Sequence, residues 1–85
     1  MGKKEKLLHR FLTKPRNFKY AELKRLLGYF GYREVKTGKT SGSRVAFISG
    51  KRHIIRLHKP HPKPELKRYQ LDLIEEELKR IGVLK

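Results

Sequence analysis

Apolar residues recur every three or four positions early in the chain, every second position in its middle, and at helical spacing again towards its end. That pattern predicts two helices, a small sheet and a third helix. Leu7, Leu8, Phe11 and Leu12 make one stripe between Lys3 and Thr13, and Pro15 stops this short helix. Tyr20, Leu23, Leu26, Leu27 and Phe30 mark a second helix from about Lys19 to Phe30, with Glu22, Lys24 and Arg25 on its wet side. Phe18 suits a hydrophobic staple on the first turn, Gly28 weakens the helix, and Gly31 closes it.

The period-two segments are Tyr32 to Lys36, Ser43 to Ile48, and His53 to Leu57. Thr37 to Gly42 contains no apolar residue and reads as an exposed hairpin loop, and Ser49 to Arg52 reads as a turn. From His58 to Pro64 the prolines at 60, 62 and 64 remove backbone donors, which predicts a stiff connector. The third helix is expected to begin at Pro64, with Glu65 at its positive end, Lys79 and Arg80 at its negative end, and Gly82 as its stop. Its expected buried stripe is Leu66, Tyr69, Leu73, Ile74, Leu78 and Ile81.

The predicted class is therefore α+β: a three-stranded antiparallel sheet with helices on one face, an α-β-β-β-α core over 18–82 and an extra N-terminal helix over 1–14. At 85 residues the chain is expected to be a single domain, 1–85, with a modest core that a partner could usefully extend. If Val45, Phe47, Ile55 and Leu57 face the helices, alternation puts Arg44, Ala46, Ile54, Arg56 and His58 on the open face.

Charge narrows the function. Lys and Arg number 23 against 8 Asp and Glu, a formal +15. Such a field attracts polyanions and makes their binding fall steeply with salt. Cysteine is absent, so no disulfide framework or thiolate metal site is expected. No apolar run approaches the roughly 20 residues of a membrane span, and Leu7 to Leu12 is too short and too polar for a secretory signal, so a cytoplasmic location is expected.

From Phe18 to about Gly82 the chain resembles the HicA-type toxins. The residues that carry the likeness are Ala21 to Leu27 in a helix, Gly31-Tyr32 opening the first strand, Gly42-Ser43 leading the second, His58-Lys59-Pro60-His61-Pro62, and Leu66-Lys67-Arg68-Tyr69. The resemblance implies a fold like the double-stranded RNA-binding domain, endonuclease cleavage of mRNA without a metal, and neutralisation by a HicB-type antitoxin. In the best-known branch of that family Gly-Ser precedes the histidine taken to be catalytic; here Arg44 stands in its place. Arginine keeps its proton and cannot act as a general base, but it can hold a phosphate or its transition-state charge.

Metal-free cleavage needs a base for the 2'-hydroxyl and an acid for the leaving 5'-oxygen, and histidine suits both tasks. The candidates are His58 and His61 as acid and base in either order, with Arg44 clamping phosphate. A histidine before a proline turn can equally do no more than bond backbone and order the connector. His53 and His9 are expected on the surface. Three histidines fall between 53 and 61, but neither Cys nor an acidic residue is near to complete a zinc set, so no metal and no other cofactor is expected.

For RNA contact the candidates are Lys36, Lys39, Ser41, Ser43 and Arg44 on or beside the first hairpin, Lys51 and Arg52 at the second, and Arg56 on the open face. Lys63, Lys67 and Arg68 offer an extension of that track. The expected partners are RNA and the antitoxin, with no membrane and no small-molecule substrate. A non-catalytic RNA-binding module remains the alternative. A DNA-reading helix fits less well, because the third helix carries Asp72, Glu75, Glu76 and Glu77.

Overall fold

In the computed structural model, which describes residues 2–36, 44–60 and 63–84, the elements run α1 (Lys3–Leu12), α2 (Tyr20–Tyr29), β1 (Tyr32–Lys36), β2 (Arg44–Ser49), β3 (Ile54–His58) and α3 (Arg68–Arg80). The strands form one antiparallel sheet in the order β1-β2-β3. The α+β class, with its added N-terminal helix, is the architecture that the periodicity predicts.

Register decides which side chains share a face. Val45 lies opposite Leu57 and Phe47 opposite Ile55, while Arg44 lies opposite His58 and Ala46 opposite Arg56. The first group joins the helices in a single core with Phe11, Phe18, Leu23, Leu26, Leu71 and Leu78. Tyr20 of α2 packs its ring 6.0 Å from Phe47, and its hydroxyl donates to Glu34. Burial at that spot raises the Tyr20 pKa, with the Glu34 carboxylate adding to the effect.

α1 belongs to this core. Phe11 is wholly buried and meets Phe18 edge-to-face at 5.7 Å, and Leu7 is buried beside it. Arg10 reaches over to α2, donating to Glu22 at 2.8 Å and to the Asn17 carbonyl at 3.0 Å. The link onward to α3 is Lys14, which has a positive φ of 54° and places its ammonium between Asp72 and Glu75. Those two carboxylates, Glu75 first, raise the Lys14 pKa.

The start of α3 departs from the expectation. Pro64 to Leu66 is extended, pairing with Phe18 to Tyr20 through the bridge Lys19–Glu65: the Tyr20 amide donates to Pro64 at 2.9 Å and the Leu66 amide to Phe18 at 2.8 Å. The helix begins at Arg68, and Gln70 Oε1 accepts from the Lys67 amide at 3.0 Å, which satisfies an orphan donor of the first turn. Within this helix Gln70, Leu71, Ile74 and Leu78 are buried, while Tyr69, Leu73 and Ile81 face outward. The predicted stripe was therefore wrong at Tyr69, Leu73 and Ile81; Leu66 is buried, but from outside the helix. Gly31 and Gly82 both take positive φ where α2 and α3 end, as the stops require.

His53 also departs from its expected surface role. It precedes β3 instead of starting it, and its side chain is 14% exposed. Nδ1 bonds the Tyr32 hydroxyl at 2.7 Å and Nε2 pairs with Glu77 at 3.0 Å, so one imidazole joins β1, the β2–β3 turn and α3. Arg80 first and His53 second pull the Glu77 carboxyl down to about 2. A depressed pKa means that this contribution is full above the ordinary glutamate value near 4.3 and is lost as pH falls through about 2. Glu77→Gln is accordingly expected to flatten the fall of Tm with acidification in that window. Parallel Tm profiles for variant and parent would assign the acid sensitivity to other groups.

Candidate nucleic-acid interface

The open face of the sheet is built by alternation from all three strands. Arg33 and Val35 come from β1, Arg44, Ala46 and Ile48 from β2, and Ile54, Arg56 and His58 from β3. The charged members, Arg33, Arg44, Arg56 and His58, are exposed, and none of the eight positions is acidic. Elsewhere Glu22, Glu34, Asp72, Glu75 and Glu77 are already held in ion pairs with basic side chains. The charged positions of this face are thus all arginine or histidine.

Arg44 and His58 are brought together by the β2–β3 ladder. The Ser49 amide donates to the His53 carbonyl at 3.0 Å, so the hydrogen-bonded pairs fall at 49/53, 47/55 and 45/57. The pair 44/58 is then of the non-hydrogen-bonded kind, in which directly opposed side chains lie closest. The His58 carbonyl accepts from Gln70 Nε2 at 3.0 Å, fixing the strand end against α3 while the imidazole stays exposed.

His58 also stands at the rim of a broad, mainly basic concavity beyond the strand end, formed with Arg16, Lys59, Lys63, Lys67 and Arg68 and with one carboxylate, Glu65. Three separate segments meet there: the α1–α2 connection, the chain leaving β3, and the lead-in to α3. The Lys19–Glu65 bridge and the Lys14 ion pairs hold two of these segments together. Lys59 Nζ lies 5.2 Å from the Tyr20 ring centroid, a cation–π contact that anchors its stem. Chemically, the guanidinium opposite an exposed imidazole can bind a phosphodiester beside a group able to take or give a proton, and the adjoining cations can carry the neighbouring phosphates.

The other predicted residues fall in different places. Lys51 and Arg52 are exposed at the β2–β3 turn, the opposite end of the strands from Arg44 and His58, roughly 17 Å away at the usual rise. They do not join this cluster. Arg56 lies between the two ends, opposite Ala46. Lys36 ends β1 at the register position of Val45. His61, Lys39, Ser41 and Ser43 lie outside the described residues. Arg33 was missed at the sequence level, although the alternation of Tyr32 and Arg33 was its signal.

Among the described residues no helix is long and apolar enough to cross a membrane. No curated protein and no solved structure matches the chain. Residues 20–83, from the first residue of α2 to just beyond α3, match the family described as the HicA toxin of bacterial toxin–antitoxin systems. That match takes in the whole sheet, both flanking helices, Arg44 and His58, and the chain therefore belongs to the HicA toxin family.

Proposed function

We propose that this toxin acts on RNA as a metal-independent endonuclease of mRNA, held in check by a HicB-type antitoxin. The observation that carries the reading is the opposition of Arg44 and His58 on an exposed, acid-free sheet face that continues into the basic concavity. In the proposed reaction one histidine removes the 2'-hydroxyl proton, and the oxygen attacks the adjacent phosphorus. A second proton donor delivers a proton to the departing 5'-oxygen, leaving a 2',3'-cyclic phosphate and a free 5'-hydroxyl. His58 and His61 are the proposed acid–base pair. Arg44 holds the non-bridging oxygens as their charge grows. Arg33 and Arg56 on the sheet, with Lys59, Lys63, Lys67 and Arg68 in the concavity, carry the flanking phosphates.

A second reading has one observation in its favour: Arg44 occupies the place after Gly42-Ser43 where a base would be of use, and arginine cannot serve as one. On that reading the protein binds RNA and blocks it without cutting. Incubating the purified chain, with chelator present, on end-labelled single-stranded and duplex RNA separates the two. Products ending in cyclic phosphate support the nuclease. Bound but intact RNA supports the binder.

The same preparation tests the phosphate clamp. Each phosphate contact adds about 0.9 to the slope of log affinity against log salt for duplexes. Arg44→Ala is expected to weaken RNA binding and lower that slope by about one, and the pair Lys67→Ala with Arg68→Ala by about two. An unaltered slope removes the residue concerned from the interface.

A further inference from the structure

We propose that the outer edge of β3 and the groove between it and α3 receive an extended strand of a partner protein, apolar in its middle and acidic at the end beside His58. The strand ladder directs the amides and carbonyls of Ile55 and Leu57 towards β2, which leaves those of Ile54 and Arg56 pointing out of the sheet. Among the described residues no hydrogen bond reaches those outward groups. An uncovered edge of this kind accepts main-chain hydrogen bonds from an added strand.

What sets this edge apart is its apolar flank. Ile54, Tyr69 and Leu73 are 38%, 59% and 56% exposed, and all three line one groove of about 350 Å³ with Arg56 and His58. Side chains projecting from alternate positions of a docked strand would fill it, covering apolar surface that a folded chain does not usually leave grouped in water. The ends of the groove differ in charge. α3 runs antiparallel to β3, since Gln70 meets His58 and Glu77 meets His53. His58 therefore stands at one end, Arg56 midway along, and Glu76 and Glu77 towards the other end. Carboxylates of the incoming strand belong beside Arg56 and His58.

A second copy of this chain is a poor occupant. Self-pairing through the outward groups of residues 54, 56 and 58 would centre on Arg56 facing its own counterpart, between chains that each carry +15. A negatively charged partner gains from the same field. A strand in this position also lies across His58, which borders both the groove and the basic concavity, and so denies that side chain to RNA. The blocking consequence rests on the proposed RNA site; the docking does not.

The test is a titration of the isotope-labelled full chain with a short, terminally blocked peptide that alternates valine with threonine and carries two glutamates at one end. Slowed amide exchange at Ile54 and Arg56, with Ile55 and Leu57 unaltered, is the expected pattern. Leu73→Lys, at an exposed position, is expected to weaken the peptide about tenfold while leaving RNA affinity within about twofold. Exchanging the two glutamates for lysines should cost a similar factor. No protection at about 1 mM peptide overturns the proposal. So does protection confined to the amides of Lys63, Lys67 and Arg68, which would mark the peptide as a polyphosphate mimic, or protection that follows self-association without peptide. Peptide protection in a chain that fails to bind RNA would refute the RNA reading and leave the docking edge intact.

Discussion

His58→Ala is expected to cut RNA about a hundred- to ten-thousandfold more slowly than the intact chain, with RNA affinity changed by no more than about threefold. That range is what one positioned proton-transfer group typically contributes to such a reaction. Binding is spared because in the proposed site the phosphates are held by a set of arginines and lysines, of which His58 is not a member. Folding is spared as well. The fold uses the His58 carbonyl, which Gln70 engages, while the imidazole itself is exposed and lies outside the core. In cells, expression of the chain alone is expected to arrest growth, and the same substitution to relieve the arrest. Undiminished cutting by His58→Ala would move the proton transfer to other groups. Arrest that persists with no cutting by either protein would favour the binder.

Phe11→Ala is expected to destabilise the protein by about 3–5 kcal/mol, the usual range for deleting a buried phenylalanine. At roughly 0.05–0.15 kcal/mol per residue, a chain of 85 residues has only about 4–13 kcal/mol in total. The variant should therefore be largely unfolded at 37 °C or melt far below the parent. Phe11 is wholly enclosed and its ring packs against Phe18, which sits at the entrance to α2. The family match begins only at residue 20, so α1 lies outside it. If α1 were a detachable extension, Phe11→Ala would leave the urea midpoint where it was. A shift of the expected size makes α1 part of the folding unit.

The strands were readable because their signals are local. Two-residue alternation and the Ser49 to Arg52 turn place β2 and β3 to within a residue, and the register then puts Arg44 opposite His58. Helix α3 was misread because Leu66 looked like part of its stripe. The extended pairing of residues 64–66 with 18–20 is a contact between distant parts of the chain, and it delays the helix by one turn and takes Leu66 out of its stripe. His53 was misread for a related reason. Its two partners, Tyr32 and Glu77, lie 21 and 24 residues away, and no nearby pattern announces them. The basic concavity shares that character, since Arg16, Lys59 and Arg68 meet only when three segments fold together. Lys51 and Arg52 show the converse: near to Arg56 along the chain, they stand at the far end of the strands from His58.

Both outer strands of the sheet are edges, and among the described residues neither β1 nor β3 has a further strand beside it. Mutual repulsion opposes the pairing of such edges between molecules, because each chain carries the same large positive sign. Raising ionic strength towards 1 M shortens the reach of that repulsion to about 3 Å, and bound polyphosphate cancels it outright. The charge that would draw this protein to the proposed RNA target thus also serves as its colloidal protection. Concentrated stocks should stay clear at low salt and turn turbid when salt or an equivalent of polyanion is added.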